Sequence, residues 1–462
     1  MKATIEGVRI AGVRAVVPRQ RHSFVEEPGI FTEEEARKLH AGIGVYERRV
    51  LPRPYCASDM CRAAAEGLLQ QLGWDPASVD VLIFVSQDVD YVLPVTAAVL
   101  QRHLGLPTSA ACFDVTLGCS GFVYGTWMAA RLLSGSARRA LVLCGDNSTR
   151  WLHPEDKATL PLFGDAGSAT ALEIDPDAAP IHVSLGTDGA GAKHIFVKAG
   201  GKRDCLIPTD PPRSEAEMAR LYRDARLHLN GAEVFTFTLR AVPGLLKQAM
   251  ADAGVTVDDL DYVVPHQANK MMLDHIRKKI GCDPGKYIID MEKYGNTSSA
   301  SVPLALCSRL SAELESGRKK LLLAGFGVGW SWGTILADIG PIPAPTVAEL
   351  AVRVAALQGT GSSPALPLVR RGADEEPVAS FAQQRLWFLD QLEPGNPFYN
   401  LPAAARLTGP LNVTALGQAL DALVARHEAL RTVFANHQGR PLPVVSEAAC
   451  WPLAQVDLRS AA

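Results

Sequence analysis

The 462-residue sequence has no Cys-x-x-Cys pair, no apolar run approaching the ~18 residues of a membrane span and no long block of one charge. Each absence excludes something. Without paired cysteine spacing, a structural zinc site has no evident ligand set, and no metal is expected. The nine cysteines are odd in number and scattered, which does not make a disulfide framework. The first residues lack the basic start, apolar stretch and small-residue cleavage site of a secretory signal. With 46 basic and 49 acidic residues nearly cancelling, neither nucleic acid nor an anionic membrane is the expected main partner. These features predict a protein of a reducing cytoplasm, and the length predicts two or three domains.

What is present is an internal echo. Leu68-Leu69-Gln70-Gln71, a break at Gly73 and Val79 to Gln87 are matched by Leu245-Leu246-Lys247-Gln248, a break at Gly254 and Leu260 to Gln267. Each copy reads as an amphipathic helix, a polar turn and a buried strand. A second pair runs from Leu132 through Arg138-Arg139 to Gly145, and from Glu313 through Lys319-Lys320 to Gly325. Asp80 and Asp261 lie 181 residues apart and Gly145 and Gly325 lie 180 apart, nearly one register. Duplicated α/β halves follow, with continuous apolar strands covered on both faces.

Cys119 stands where an apolar run turns and a helix begins, in Leu117-Gly118-Cys119-Ser120-Gly121. Unpaired N–H groups and the positive helix end favour a thiolate there, lowering the pKa. Flanking glycines remove bulk on both sides, so that a large substrate could approach. A buried structural cysteine is the alternative. His266 follows the strand Tyr262 to Pro265, where the first half has Ser86. Asn296 lies in the polar turn Tyr294 to Ser301, and Gly325 to Gly333 holds four of its glycines after a strand. Taken singly, a core histidine, a helix cap and a tight turn account for these three.

Together with Leu162-Phe163-Gly164-Asp165-Ala166-Gly167, the set resembles beta-ketoacyl-acyl carrier protein synthase III over residues 1 to about 340. The resemblance implies a thiolase-like, five-layered α-β-α-β-α fold and a homodimer. Residues 1–175 would form the half with the nucleophile and 176–340 the half with His and Asn. Cys119 would take an acyl group from an acyl-CoA or acyl carrier protein thioester. His266 and Asn296 would stabilise the enolate formed as malonyl carrier protein loses carbon dioxide. Backbone N–H groups of Cys119 and Gly329 would form the oxyanion hole. No cofactor beyond the thioester substrates is implied. Relatives that pass the acyl group to an amine or alcohol use the histidine as a base; a carboxylate at position 296 would favour that use, and this chain has the amide, while a carrier-recruiting module without catalysis is a further alternative. The stretch Ala36 to Gly44 departs from the coenzyme A-gripping pattern: it lacks the Trp, and His40 falls near the expected Arg. A longer acyl group or a carrier-bound donor is therefore expected.

Beyond Pro341 the texture changes to a Pro-, Gly- and Ser-rich stretch, read as a linker over 341–376 with a short helix at Thr346 to Leu357. Ser380 to Leu389 and Arg426 to Phe434, the latter fed by an amphipathic helix from Leu411 to His427, resemble the first two motifs of nonribosomal peptide synthetase condensation domains. Residues 377–462 are expected to be an incomplete α/β condensation domain. Its catalytic His-His-x-x-x-Asp-Gly is absent and His427 is given no catalytic role. This fusion places the synthase in fatty acid-like or specialised polyketide and peptide biosynthesis.

Overall fold

The computed structural model describes residues 1–27, 29–133, 135–204, 214–350, 409–437 and 440–447, with isolated positions 379, 383, 386, 387, 390, 391 and 456. The chain divides into two compact units, Met1–Ser362 and Ser363–Ala462.

The first unit is built on two sheets. A six-stranded sheet runs in the order Thr346–Glu349, Val8–Val17, Ala166–Ile174, Arg139–Asp146, Val81–Val85, Ala111–Val115. A five-stranded sheet runs Lys2–Ile5, Ile181–Thr187, Ser331–Ile339, Lys319–Gly327, Tyr262–Pro265. Between them lie the helices Gly121–Leu132 and Ser301–Arg309. Their Phe122, Val123, Val302 and Leu306 share one core with Val142 and Ile83 of one sheet and Leu323 and Ile335 of the other. A second core joins the six-stranded sheet to the helices Ala57–Leu72 and Thr96–Leu104. A third joins the five-stranded sheet to Gly231–Asp252 and Lys270–Ile280. The result is the five-layered α-β-α-β-α stack, with a helical layer buried at its centre.

The echo is visible in the hydrogen bonding. The Asp80 backbone donates to the Arg139 carbonyl (2.9 Å) and the Asp261 backbone to the Lys320 carbonyl (3.0 Å). The Asp80 carboxylate accepts from the Arg139 N–H (3.1 Å) and the Asp261 carboxylate from the Lys320 N–H (2.7 Å). Val81 pairs with Ala140 and Tyr262 with Leu321, both in parallel. The halves also exchange edges. Lys2–Ile5 pairs with Ile181–Ser184 in the five-stranded sheet, and Thr346–Glu349 pairs with Arg14–Val17 in the other. Thr346–Glu349 is thus a strand, not the start of the linker helix expected there. Thr346 has β-favouring branching and meets a sheet edge in register. The rest of the expected helix lies outside the described residues.

In the second unit the helix Val413–Arg426 starts at Asn412, whose side chain accepts from the Ala415 N–H at 3.0 Å. A 3-10 turn, Glu428–Arg431, leads into the antiparallel hairpin Thr432–His437 and Arg440–Val445. The helix expected from Leu411 to His427 is therefore present. Most of the Ser380 to Leu389 motif lies outside the described residues.

Candidate functional site

Cys119 precedes the first turn of Gly121–Leu132 and is buried. Its neighbours are the glycines of Lys319–Gly327. A methyl built on Gly327, whose φ is +153°, would lie 2.8 Å from Cys119 Cβ and 3.0 Å from Sγ. The glycines beside Cys119 serve packing rather than an open approach. A Cβ at Gly121 would meet Val85 at 2.5 Å, and one at Gly118 would overlap Gln87 and Ser298.

Burial reverses the expected charge state. Loss of solvation, followed by the field of Asp146, pushes the Cys119 thiol up to about 11. Hydrogen bonds from the Val328 backbone, the Ser298 hydroxyl and its own backbone act the other way and lose. The helix end contributes at most ~2 kcal/mol even in favourable geometry, less than the desolvation of a fully enclosed thiolate.

His266 sits at the end of Tyr262–Pro265, its N–H on the Ala324 carbonyl (2.6 Å). Its Nδ1 lies 2.7 Å from Ser301 Oγ and its ring stands edge-on to Phe326. Burial pushes the imidazole down to about 3 despite a backbone hydrogen bond to Ser298. The ring is neutral at pH 7 and offers one N–H.

Asn296 is held from the opposite half. Its N–H donates to the Leu162 carbonyl (2.8 Å) and its carbonyl accepts from the Gly164 N–H (3.0 Å). This explains the Leu162 to Gly167 segment, which clamps the turn. Asn296 Oδ1 accepts from the Ser298 N–H at 2.9 Å, so Nδ2 is left as the donating end of the amide. It is not a helix cap: Ala300 caps Ser301–Arg309.

Ser298 therefore touches all three expected residues: Cys119 through its hydroxyl, His266 through its backbone and Asn296 through its N–H. The backbone group bonded to the Cys119 sulfur belongs to Val328. Gly329, the expected donor, lies one residue further on, where a Cβ would meet Ser331 N at 2.9 Å. Nothing local marks Val328, a branched residue between two glycines, as the donor.

Nothing local in the sequence marks the buried acids Asp146 and Asp88. Asp146 ends the strand Arg139–Asp146, one residue past Gly145, and is fully enclosed. Burial pushes Asp88 up to about 7, reinforced by the Asp146 charge.

A cavity of about 450 Å3 opens beside the helix Glu33–Ile43, lined by Phe31, Glu35, Leu39, Phe235 and Met271, with Asn269 three residues from His266. Lys157 bonds both Glu35 oxygens at 3.0 Å across its rim. His40, expected near a donor-gripping position, packs edge-on to Tyr46 instead.

Comparison with known proteins follows the same lines. Family models for 3-oxoacyl-[acyl-carrier-protein (ACP)] synthase III match residues 113–189, and for its C-terminal part 250–339. A condensation domain model matches residues 374–462. The beta-ketoacyl-[acyl-carrier-protein] synthase III of Symbiobacterium thermophilum is 34% identical over 336 residues, which is 72% of this chain and 98% of that protein. The crystal structure of a 3-oxoacyl-(acyl-carrier protein) synthase from Burkholderia xenovorans matches with 38% identity and a TM-score of 0.70, covering 76% of this chain and 99% of its own. A priming beta-ketosynthase from a polyketide biosynthetic pathway matches with 26% identity and a TM-score of 0.62, over 73% and 98%.

Proposed function

Because the chain belongs to the 3-oxoacyl-[acyl-carrier-protein] synthase III family, we propose that it joins an acyl group held on Cys119 to a malonyl unit on an acyl carrier protein. The enzyme is an acyltransferase that forms a carbon–carbon bond by decarboxylative condensation. The observation that carries the residue assignment is the meeting of Cys119, His266 and Asn296 on Ser298.

In the first half-reaction the Cys119 sulfur attacks the acyl thioester. The tetrahedral oxyanion takes the backbone N–H groups of Cys119 and Val328, each worth about 3 kcal/mol in rate. In the second, the malonyl thioester carbonyl accepts from Asn296 Nδ2 and the His266 N–H. Those neutral donors stabilise the enolate as carbon dioxide departs, and the enolate carbon attacks the acyl-cysteine. A histidine held at about 3 is a donor rather than a base, which favours condensation over transfer to an amine or alcohol. All groups in this scheme come from the chain and its thioester substrates. Metal and cofactor are not required.

The homodimer reading rests on an apolar loop and a sheet edge. Val92 and Leu93 are 85% and 84% exposed, and Ala111–Val115 ends the six-stranded sheet. A second copy pairing there would cover both. The condensation-type tail and the priming ketosynthase among the similar structures support a starter-making role in specialised biosynthesis. No helix among the described residues is long and apolar enough to cross a membrane.

Purified protein given radiolabelled acyl thioester should label at Cys119, and Cys119→Ala should abolish it. Adding malonyl carrier protein should then release carbon dioxide. Loading without any release would sink the condensation reading.

A further inference from the structure

The loop that follows Lys319–Gly327 presses on the nucleophile yet is built to turn easily. Val328 stands between Gly327 (φ +153°) and Gly329 (φ +137°), two positions whose backbone an L side chain rarely adopts. A Cβ at Gly325 would sit 2.7 Å from Ser120 Cα, and one at Gly327 3.0 Å from Cys119 Sγ. The Val328 N–H belongs to the peptide that leaves Gly327, so rotation about that glycine aims it at the acyl site or away from it. Something must hold it.

Two buried hydroxyls tie this loop to the helix start. Ser331 Oγ donates to the Val328 carbonyl at 2.6 Å and lies 2.7 Å from Ser120 Oγ. A hydroxyl has one proton to give. That of Ser331 goes to Val328, so Ser120 is the donor in the second bond. Ser120 is the fixed end of the chain: its carbonyl accepts from the Val123 and Tyr124 N–H groups (3.1 and 3.3 Å) in the first turn of Gly121–Leu132. We propose that Ser120 and Ser331 are positioning residues for acyl transfer, their chain of hydroxyls fixing the Val328–Gly329 peptide and so aiming the Val328 N–H at the oxyanion.

The far side of the loop is held by other means. Trp330 exchanges backbone bonds with Asp188 (2.8 and 2.9 Å), and its indole stacks on Phe237 (centroids 4.3 Å apart) and on His194 (5.5 Å). Those contacts fix residue 330. They act beyond Gly329, and that glycine lets the Val328 peptide turn while Trp330 stays in place. The Ser331 side chain reaches back across it. Without the hydroxyl, the Val328 carbonyl loses this donor and its peptide is free to swing between two glycines.

In this role the two serines exchange no proton with the substrate and form no bond to it. They act on one event. When the Cys119 sulfur adds to the acyl carbonyl, negative charge grows on its oxygen, and an N–H lowers that barrier only if it is aimed beforehand. A reaction of the same sulfur that builds no oxyanion has no need of the donor. Alkylation by iodoacetamide is one: the C–S bond forms as the C–I bond breaks, iodide leaves with the electron pair, and the thiol proton goes to solvent. Comparing the two reactions separates the aim of the donor from the placement of the sulfur.

The inference rests on Cys119 carrying the acyl group and Val328 donating to the oxyanion, as proposed above. The test follows loading of the full chain from butyryl-N-acetylcysteamine by intact-protein mass spectrometry, beside iodoacetamide alkylation of Cys119 located by peptide mass spectrometry. Ser331→Ala should lower the maximal loading rate roughly 10–10²-fold, as for a donor misplaced by about 1 Å, with the half-saturating thioester concentration held within about threefold. Its alkylation should keep the parental rate. Ser120→Ala should slow loading in the same sense, and the double variant should be no slower than Ser331→Ala, because both serines lie on one chain of bonds. Ser331→Thr keeps the donor and should restore most of the rate. Three results would overturn the positioning role: unchanged loading in Ser331→Ala, no recovery in Ser331→Thr, or alkylation slowed as much as loading. The last would mean that the hydroxyls place the sulfur instead. Should Ser331→Ala fail to fold, Ser120→Ala carries the same comparison. Loading that survives Cys119→Ala defeats the acyl-carrier reading itself. Parental loading in Ser331→Ala with none in Cys119→Ala defeats only the positioning role.

Discussion

Gly327→Ala should disable acyl loading while leaving the fold standing. The added methyl would lie 2.8 Å from Cys119 Cβ and 3.0 Å from Sγ. Non-bonded carbons settle at roughly 3.5–4.0 Å, so the overlap is close to 1 Å at the nucleophile. Neither neighbour can yield cheaply. Gly327 is paired in register with Ser331, and Cys119 is wedged between the Val328 N–H and the Ser298 hydroxyl. A shift of about 1 Å in a reacting atom costs on the order of 10²-fold in rate. A φ of +153° adds strain of about 1–3 kcal/mol for an L side chain. That strain corresponds to a fall of roughly 2–6 °C in the unfolding midpoint. Loading kinetics by intact-protein mass spectrometry and a calorimetric scan read both quantities. Gly189→Ala is the control, because a methyl there meets nothing within 4 Å. Loading by Gly327→Ala at the parental rate would refute the close approach of the two loops and the oxyanion geometry drawn from it.

Three further outcomes follow from named contacts. Asn296→Asp replaces the donating amide end with a carboxylate, so loading should persist while carbon dioxide release from malonyl carrier protein falls at least roughly 10²-fold; equal losses in both steps would remove Asn296 from the enolate site. His266 is pushed down to about 3 from an ordinary 6.5, so the unfolded chain binds the extra proton between those values and stability falls as pH drops through that window. At pH 4.5 the loss from this group is about 2.7 kcal/mol, at 1.36 kcal/mol per unit. Urea midpoints at pH 7 and pH 4.5 should therefore converge more in His266→Gln than in the parent, and identical acid losses would contradict it. Val92→Asp with Leu93→Asp should halve the solution mass by light scattering, whereas an unchanged mass would refute the dimer surface placed on that loop.

The duplication was legible because both copies keep the same residue where the same bond is made. Asp80 and Asp261 each tie a strand start to the neighbouring strand through one carboxylate oxygen, which accepts a backbone N–H there. The three candidate site residues stand out for a related reason: Cys119, His266 and Asn296 lie at strand ends or turns, and their types are unusual for those positions. Their electrical state was not legible. A thiol at a helix start reads as acidic only if solvent reaches it, and its burial comes from Gly327 and Ser298, more than 170 residues away.

The same distance hid Ser299 and Asp146. In the sequence they are an ordinary turn serine and a polar residue just past a strand, and nothing local says that they touch. Their meeting depends on the two halves packing face to face across the central helices, which brings the end of Arg139–Asp146 against the turn before Ser301–Arg309. A duplicated fold can assign nucleophile and enolate donors to different halves and still need one shared element to couple them. Here that element is the turn Asn296 to Ser299, positioned by Leu162 and Gly164 on one side and Asp146 on the other. A change in Asp146 is therefore expected to reach Cys119 and Asn296 together, whereas a change confined to Gly327 reaches the sulfur alone.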